Sequence, residues 1–328
     1  MKIAVLGGGS WATAIVKMLC NNCDEVTWWM RNQEALDHLK KFNHNPNYLP
    51  SVQFDLNKLD LTTDLVGAVA KVDYVVIATP SAFLVDMFKD FPGDVIKDKV
   101  VFSAVKGIIP EYHAIPARFI HKQFGVPYEN IGIISGPCHA EEVAQEKLSY
   151  LTLACQTESF AAQMGELLSC RYIKTSTSDD LFGTELSAVL KNVYSVACGI
   201  CHGLGYGDNF QAVLVANAIC EIERFVDAVH TIHRDVKTSA YLGDLLVTAY
   251  SQFSRNRTFG SMIGRGYSVK SAMFEMNMVA EGFYAVEGVI EMNKRFQVDL
   301  PICQAVYNIV YEKISPVVEM RILADKLS

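Results

Sequence analysis

Met1-Lys2-Ile3-Ala4-Val5-Leu6-Gly7-Gly8-Gly9-Ser10-Trp11-Ala12 decides the fold, because a short apolar run ends in clustered glycines and then opens a helical pattern. Ile3 to Leu6 is too short for a signal-peptide core and reads as a first strand. The glycines spell G-x-G-x-x-A, the turn that a dinucleotide-binding strand–loop–helix unit requires. Gly7 allows the tight turn, Gly9 lets a pyrophosphate reach the backbone, and Ala12 is small enough for close helix packing. Ser10 and Trp11 then start a helix whose positive end faces the phosphates.

Working outward, further apolar stretches rich in β-branched residues predict strands at Glu25–Met30, Tyr74–Thr79, Val100–Val105, Ile131–Ser135 and Leu151–Ala154. Their nearly continuous hydrophobicity suits parallel strands buried on both faces and joined by crossover helices. This half predicts a Rossmann-type, doubly wound α/β sheet. After Ser176 the texture changes to long helical periods: 180–201, 211–229, 236–250, 268–276 and 281–294. Ser176-Thr177-Ser178-Asp179 reads as a helix-entry segment, which divides the chain into residues 1–177, for the dinucleotide, and an all-helical substrate and catalytic domain, 178–328.

The chain has 328 residues, half of them apolar, enough for two cores, and its formal net charge is -7. An acidic protein repels nucleic acid and anionic membrane on average, so neither is expected as a partner. An anionic substrate then needs a local basic cluster. The longest uncharged run, 192–207, is too short and too polar to span a bilayer, and a cytoplasmic location is expected. Nine cysteines without a secretory signal read as reduced thiols. Cys198-Gly199-Ile200-Cys201-His202 matches a haem-attachment pattern but lies in an apolar helical stretch, and Cys20 and Cys23 lack a second metal-binding pair. Neither haem nor metal is expected.

Several residues carry candidate chemistry. Arg31 ends the second strand, where a NAD-selective protein would place an acid, so it suits the 2′-phosphate of NADP(H); Asn32 and Glu34 nearby keep NAD(H) open. Lys106 and Gly136 follow two strands at the carboxyl edge, where Lys106 could hold substrate oxygens and Gly136 could let the backbone approach a ligand. Lys191 interrupts an apolar helix: it either snorkels to the surface or is desolvated, which would lower its pKa toward that of a proton donor. Ser254-Arg255-Asn256-Arg257 gathers guanidinium, hydroxyl and amide groups suited to phosphate, the alternative being a solvated basic loop. Asp244 and Glu281 read alone as caps or surface acids.

Taken together, Gly7-x-Gly9-Ser10-Trp11, Lys106-Gly107, Ser135-Gly136-Pro137, Glu185 through Lys191-Asn192, Gly243-Asp244-Leu245, Ser254-Arg255-Asn256 and Glu281-Gly282 resemble, in order and spacing, the bacterial NAD(P)-dependent glycerol-3-phosphate dehydrogenases. Gly203-Leu204-Gly205-Tyr206-Gly207-Asp208-Asn209 also matches a glycine-rich segment of that family. The resemblance implies reduction of dihydroxyacetone phosphate to sn-glycerol 3-phosphate with NAD(H) or NADP(H), in a cytoplasmic homodimer supplying phospholipid synthesis. It implies that Lys191 is the catalytic acid/base and that Lys106, Gly136, Asp244, Ser254, Arg255 and Asn256 contact substrate. It further implies cofactor contacts from Ser10, Trp11, Arg31, Lys106, Ala140, Arg255, Val279 and Glu281. Cys138 stands where the family usually has serine or threonine, and its backbone could still contact substrate. Ala12 replaces a third glycine, Val213–Asn217 lacks a customary arginine, and Tyr241-Leu242 replaces a small pair. Two alternatives share parts of this pattern: a dehydrogenase of hydroxyacids or sugar acids, and a non-catalytic NAD(H) sensor.

Overall fold

The computed structural model describes residues 1–276 and 280–328. The described chain forms two compact units, one of residues 1–105 and 116–181, the other of residues 106–115 and 182–328. The boundary expected at 177/178 thus lies at 181/182, and the second unit also takes in the short segment that begins with Lys106.

The first unit is built on one eight-stranded sheet: β1 Ile3–Leu6, β2 Val26–Trp29, β3 Leu59–Thr62, β4 Tyr74–Ile77, β5 Val100–Ser103, β6 Ile131–Ser135, β7 Ser149–Cys155 and β8 Ile173–Ser178. Their spatial order is β3-β2-β1-β4-β5-β6-β7-β8. From β1 the chain winds to one side through β2 and β3, then returns to lay β4 against the other flank of β1. The strand order therefore reverses between β1 and β4, and in open α/β sheets ligands gather at the carboxyl ends of strands at such a point. Leu6 pairs with Ile77 there. The doubly wound expectation holds, with one correction: β7 runs antiparallel to β6, and β8 is parallel to β7, so two strands oppose the others.

The strands found from sequence are fully buried, except that Tyr150 of β7 is exposed. Two escaped. β3 is half-buried along its length, and β8, Ile-Lys-Thr-Ser-Thr-Ser, buries only its first residue fully. Both lie at sheet edges, where one side of the strand has no partner strand to demand apolar residues. Ser176–Ser178 consequently finish a strand, where the sequence predicts a helix entry. Serine and threonine suit both settings, and the sheet pairing decided.

The second unit is helical. Its longest helix, Leu181–Gly203, is followed by Asp208–Val229, Asp244–Tyr250, Arg255–Gly264, Val269–Glu275, Glu281–Phe296, Pro301–Val310 and Pro316–Ala324. The helix expected over 236–250 begins later, with one wide turn at Ser239–Gly243 before Asp244. Ser254 caps its helix by accepting from Arg257 N at 3.3 Å, so the basic tetrapeptide is a helix start and not a loop. Leu190, Val193, Tyr194, Ala197 and Phe225 are fully buried in a core that also holds Ile108 and Ile115. No described helix is long and apolar enough to cross a membrane.

Candidate active site

In the sheet unit, the loop after β1 is held by contacts the sequence did not announce. The Trp28 indole is buried and donates to Gly7 O at 2.7 Å. Asn45, wholly buried, donates to Gly8 O at 3.0 Å and to Thr13 Oγ1 at 2.9 Å. Gly7 has φ +143°, and a Cβ there would lie 2.6 Å from Ala78 O, at the end of β4. That combination admits only glycine. Gly7→Ala is expected to destabilise the sheet unit by about 1–3 kcal/mol and to weaken NADH binding, measured by fluorescence titration; unchanged binding would count against this loop as the cofactor cradle.

Gly9 caps the helix Ser10–Leu19 without any side-chain acceptor, the first turn holds no acid, and a Cβ on Gly9 would meet nothing within 4 Å. This is open space at the positive end of a helix, which fits a pyrophosphate. Ser10 and Ala12 are buried and Trp11 is half-buried. Arg31 lies exposed just beyond β2. Gly136 has φ +112°, and a Cβ would sit 2.7 Å from Tyr150 O, so its close neighbour is the backbone of β7 and that contact explains the glycine. Cys138 and Ala140 are both buried nearby in sequence, Ala140 opening the short helix Ala140–Ala144. Val279 lies outside the described residues.

In the helical unit three charged groups meet. Lys191 Nζ donates to Asp244 Oδ1 at 2.5 Å and to Thr248 Oγ1 at 3.0 Å, while Lys106 Nζ donates to Asp244 Oδ2 at 3.1 Å. One carboxylate is shared by two ammonium groups. Lys191 is 5% exposed and Asp244 1%, so neither the snorkelling lysine nor the surface acid is what forms. Asp244 opens the helix Asp244–Tyr250, whose positive end adds to its stabilisation.

Burial lowers the Lys191 pKa to about 7; Asp244 opposes that shift and Lys106 reinforces it. Burial alone would raise Asp244, but Lys106 and Lys191 outweigh it and hold the carboxyl below its usual range. The result is an ammonium that can release a proton near neutrality beside a carboxylate that stays ionised.

An amide chain fixes this centre. Asn192, next to Lys191, donates to Lys106 O; Asn256 donates to Asn192 Oδ1 at 2.9 Å and accepts from Gly282 N at 2.9 Å. The Asn256 carbonyl is therefore engaged by protein, leaving at most one N–H of its amide for a ligand. Ser254 Oγ is shared with Ser195 Oγ at 2.7 Å, and Ser195 also donates to Thr248 O at 2.9 Å. Arg255 and Glu281 are the first residues of their helices. Thr248 was missed by sequence reading; the available signal was its spacing of four from Asp244, which stacks both on one helix face.

Two family models match: the N-terminal domain of NAD-dependent glycerol-3-phosphate dehydrogenase over residues 2–161, and its C-terminal domain over residues 180–321. A glycerol-3-phosphate dehydrogenase [NAD(P)+] from Staphylococcus carnosus is 33% identical over 314 residues, covering 95% of this chain and 94% of the relative. One from Staphylococcus aureus is 34% identical, with coverages of 96% and 95%. The crystal structure of glycerol-3-phosphate dehydrogenase from Coxiella burnetii superposes with a TM-score of 0.91 at 27% identity, covering 98% of each chain.

Proposed function

The chain belongs to the NAD-dependent glycerol-3-phosphate dehydrogenase family, and from that premise we propose that Lys191 is the proton donor in its reduction of dihydroxyacetone phosphate to sn-glycerol 3-phosphate. It is an oxidoreductase that uses NAD(H) or NADP(H). The observation that carries the assignment of Lys191 is its buried ammonium, held against Asp244 and Thr248 with a pKa of about 7.

Gly7, Gly9, Ser10, Trp11 and Ala12 would hold the dinucleotide at the end of β1, with Arg31 beside the adenosine ribose and Ala140 and Glu281 completing its contacts. Bound there, a reduced nicotinamide supplies the hydride that C2 of the ketone accepts. As the oxygen on C2 gains charge, Lys191 transfers one of its three N–H protons to it and becomes a neutral amine. Two of those N–H groups are engaged by Asp244 and Thr248, which leaves the third for the substrate oxygen. Asp244, ionised throughout, keeps Lys191 charged enough to donate and holds Lys106, which contacts the substrate and the cofactor. Arg255 grips the phosphate and reaches the cofactor, aided by Ser254 and by the remaining Asn256 N–H. Gly136 and the Cys138 backbone complete the substrate contacts. Phosphate binding remote from C2 then contributes to orienting the carbonyl. The enzyme acts as a cytoplasmic homodimer and supplies the glycerol phosphate backbone of phospholipids.

Two experiments address this reading. NADH oxidation should proceed with dihydroxyacetone phosphate and not with small 2-keto acids; turnover of keto acids alone would move the chain to a hydroxyacid chemistry. Arg31→Ala should lower kcat/KM with NADPH by about tenfold while leaving NADH nearly unchanged, since one charge-assisted phosphate contact is lost. Equal losses with both cofactors would remove Arg31 from the selectivity role.

A further inference from the structure

Two turns beyond Lys191, the helix Leu181–Gly203 carries Cys198, which has no exposed surface; burial raises its thiol pKa to about 12, so the thiol stays protonated. Two other helices bring nitrogen donors to this sulfur. Gln211 comes from the first turn of Asp208–Val229, directly after the glycine-rich segment Gly203–Asn209, and Arg257 from the first turn of Arg255–Gly264. The Arg257 helix lies in backbone contact with the Cys198 helix: a Cβ on Gly199 would fall 2.1 Å from Arg257 O, and one on Gly260 2.1 Å from Val196 O. The base of the Arg257 side chain is thereby fixed.

Despite this placement, Nε of Arg257 and Nε2 of Gln211 are buried with no hydrogen-bond acceptor among the described residues. A protonated thiol is at best a weak acceptor. The first turn of the Arg255–Gly264 helix contains no acid, and the helix end adds its own positive potential. Buried donor atoms are almost always satisfied, and these two belong to side chains that are themselves half-buried. With Gln211 beside the thiol, the Arg257 guanidinium within electrostatic reach of it and neither buried nitrogen matched by a full acceptor, the cluster lacks an anion.

We infer that Arg257 and Gln211 form a site for a small tetrahedral oxyanion of the phosphate or sulfate class, distinct from the Lys106–Asp244–Lys191 centre. Arg255 and Arg257 are two residues apart on a helix, about 200° around its axis, so the two guanidinium groups leave opposite faces and serve different ligands. Cys198 is seven residues from Lys191, about 10 Å along the same helix. An anion bound here ties three helices together, one of which carries the proton donor.

The test is calorimetric titration of inorganic phosphate into the full-length protein and its Arg257→Gln and Arg255→Gln variants, with circular dichroism and NADH binding as checks on folding. The expected result is one phosphate equivalent that survives Arg255→Gln and weakens at least about tenfold in Arg257→Gln, as loss of a charge-assisted contact requires. If Arg257→Gln does not fold, Gln211→Leu should weaken the same equivalent. Sulfate should compete and chloride should not. Glycerol 3-phosphate titrated into Arg255→Gln separates the sources: competition marks phosphomonoesters as occupants, and its absence marks the free ion. Phosphate binding that is absent in the unmodified protein, unaffected by Arg257→Gln, or lost entirely with Arg255→Gln overturns the inference.

Discussion

Lys191→Ala should reduce kcat for dihydroxyacetone phosphate by about 10²–10⁴-fold, the range that a positioned general acid contributes, while NADH binding stays within about twofold. The variant removes the N–H donor that reaches Thr248 Oγ1 and Asp244 Oδ1 from the helix Leu181–Gly203. Asp244 keeps Lys106 as its partner, so its charge is not stranded and the protein should still fold. Added small primary amines should restore part of the rate if the missing function is proton donation. In the unmodified enzyme, ketone reduction requires protonated Lys191, so its rate should fall as pH rises through about 7. Alcohol oxidation requires the neutral amine and should rise over the same interval. The shift also bears on stability: the folded pKa lies below the ordinary 10.5, so the unfolded chain binds more protons between these values. The contribution of Lys191 to stability therefore increases from about pH 7 upward and is unfavourable at and below neutrality.

Asp244→Asn has the second large effect, and it separates charge from shape. The amide keeps the size of the side chain but withdraws the anion that both lysines share. Burial and Lys106 then act on Lys191 without opposition, so its pKa should fall below 7 and the descending limb of the reduction profile should move to lower pH. The buried Lys191 ammonium left without its counter-ion should cost about 3–5 kcal/mol of stability where it is still protonated, read by urea denaturation at a pH below its lowered pKa. A variant with an unmoved pH profile would show that Asp244 does not set the donor's charge. One with a shifted profile but unchanged stability would show that the lysines find other partners.

The residues that could be found by reading the chain are those whose neighbours in sequence are also their reasons. Gly7 and Gly9 follow a strand and precede a helix, and Lys191 is conspicuous because everything around it is apolar. β1, β2, β4, β5 and β6 declare themselves because both faces are covered. Edge strands β3 and β8 do not, since half-exposure permits Asp60, Lys174 and a run of hydroxyl residues. The orientation of β7 depends on pairing with β6 and leaves no local mark. At the active site the hidden parts are contacts across long separations: Thr248 meets Lys191 over 57 residues, Asn256 meets Asn192 over 64, and Asn45 reaches the glycine loop over 37. No periodicity records such meetings. Gly136 has a second reason that its position after a strand does not reveal, because a Cβ there would meet a carbonyl of β7.

The most direct measurement is the loss of reduced-nicotinamide absorbance when the purified protein is mixed with NADH or NADPH and dihydroxyacetone phosphate, with unphosphorylated dihydroxyacetone as control. Rapid oxidation that depends on the phosphate and declines as pH rises through about 7 is the predicted result. Measurable NADH binding with no oxidation by the phosphorylated ketone at any pH would contradict it, and would return the chain to the hydroxyacid or nucleotide-sensing alternatives.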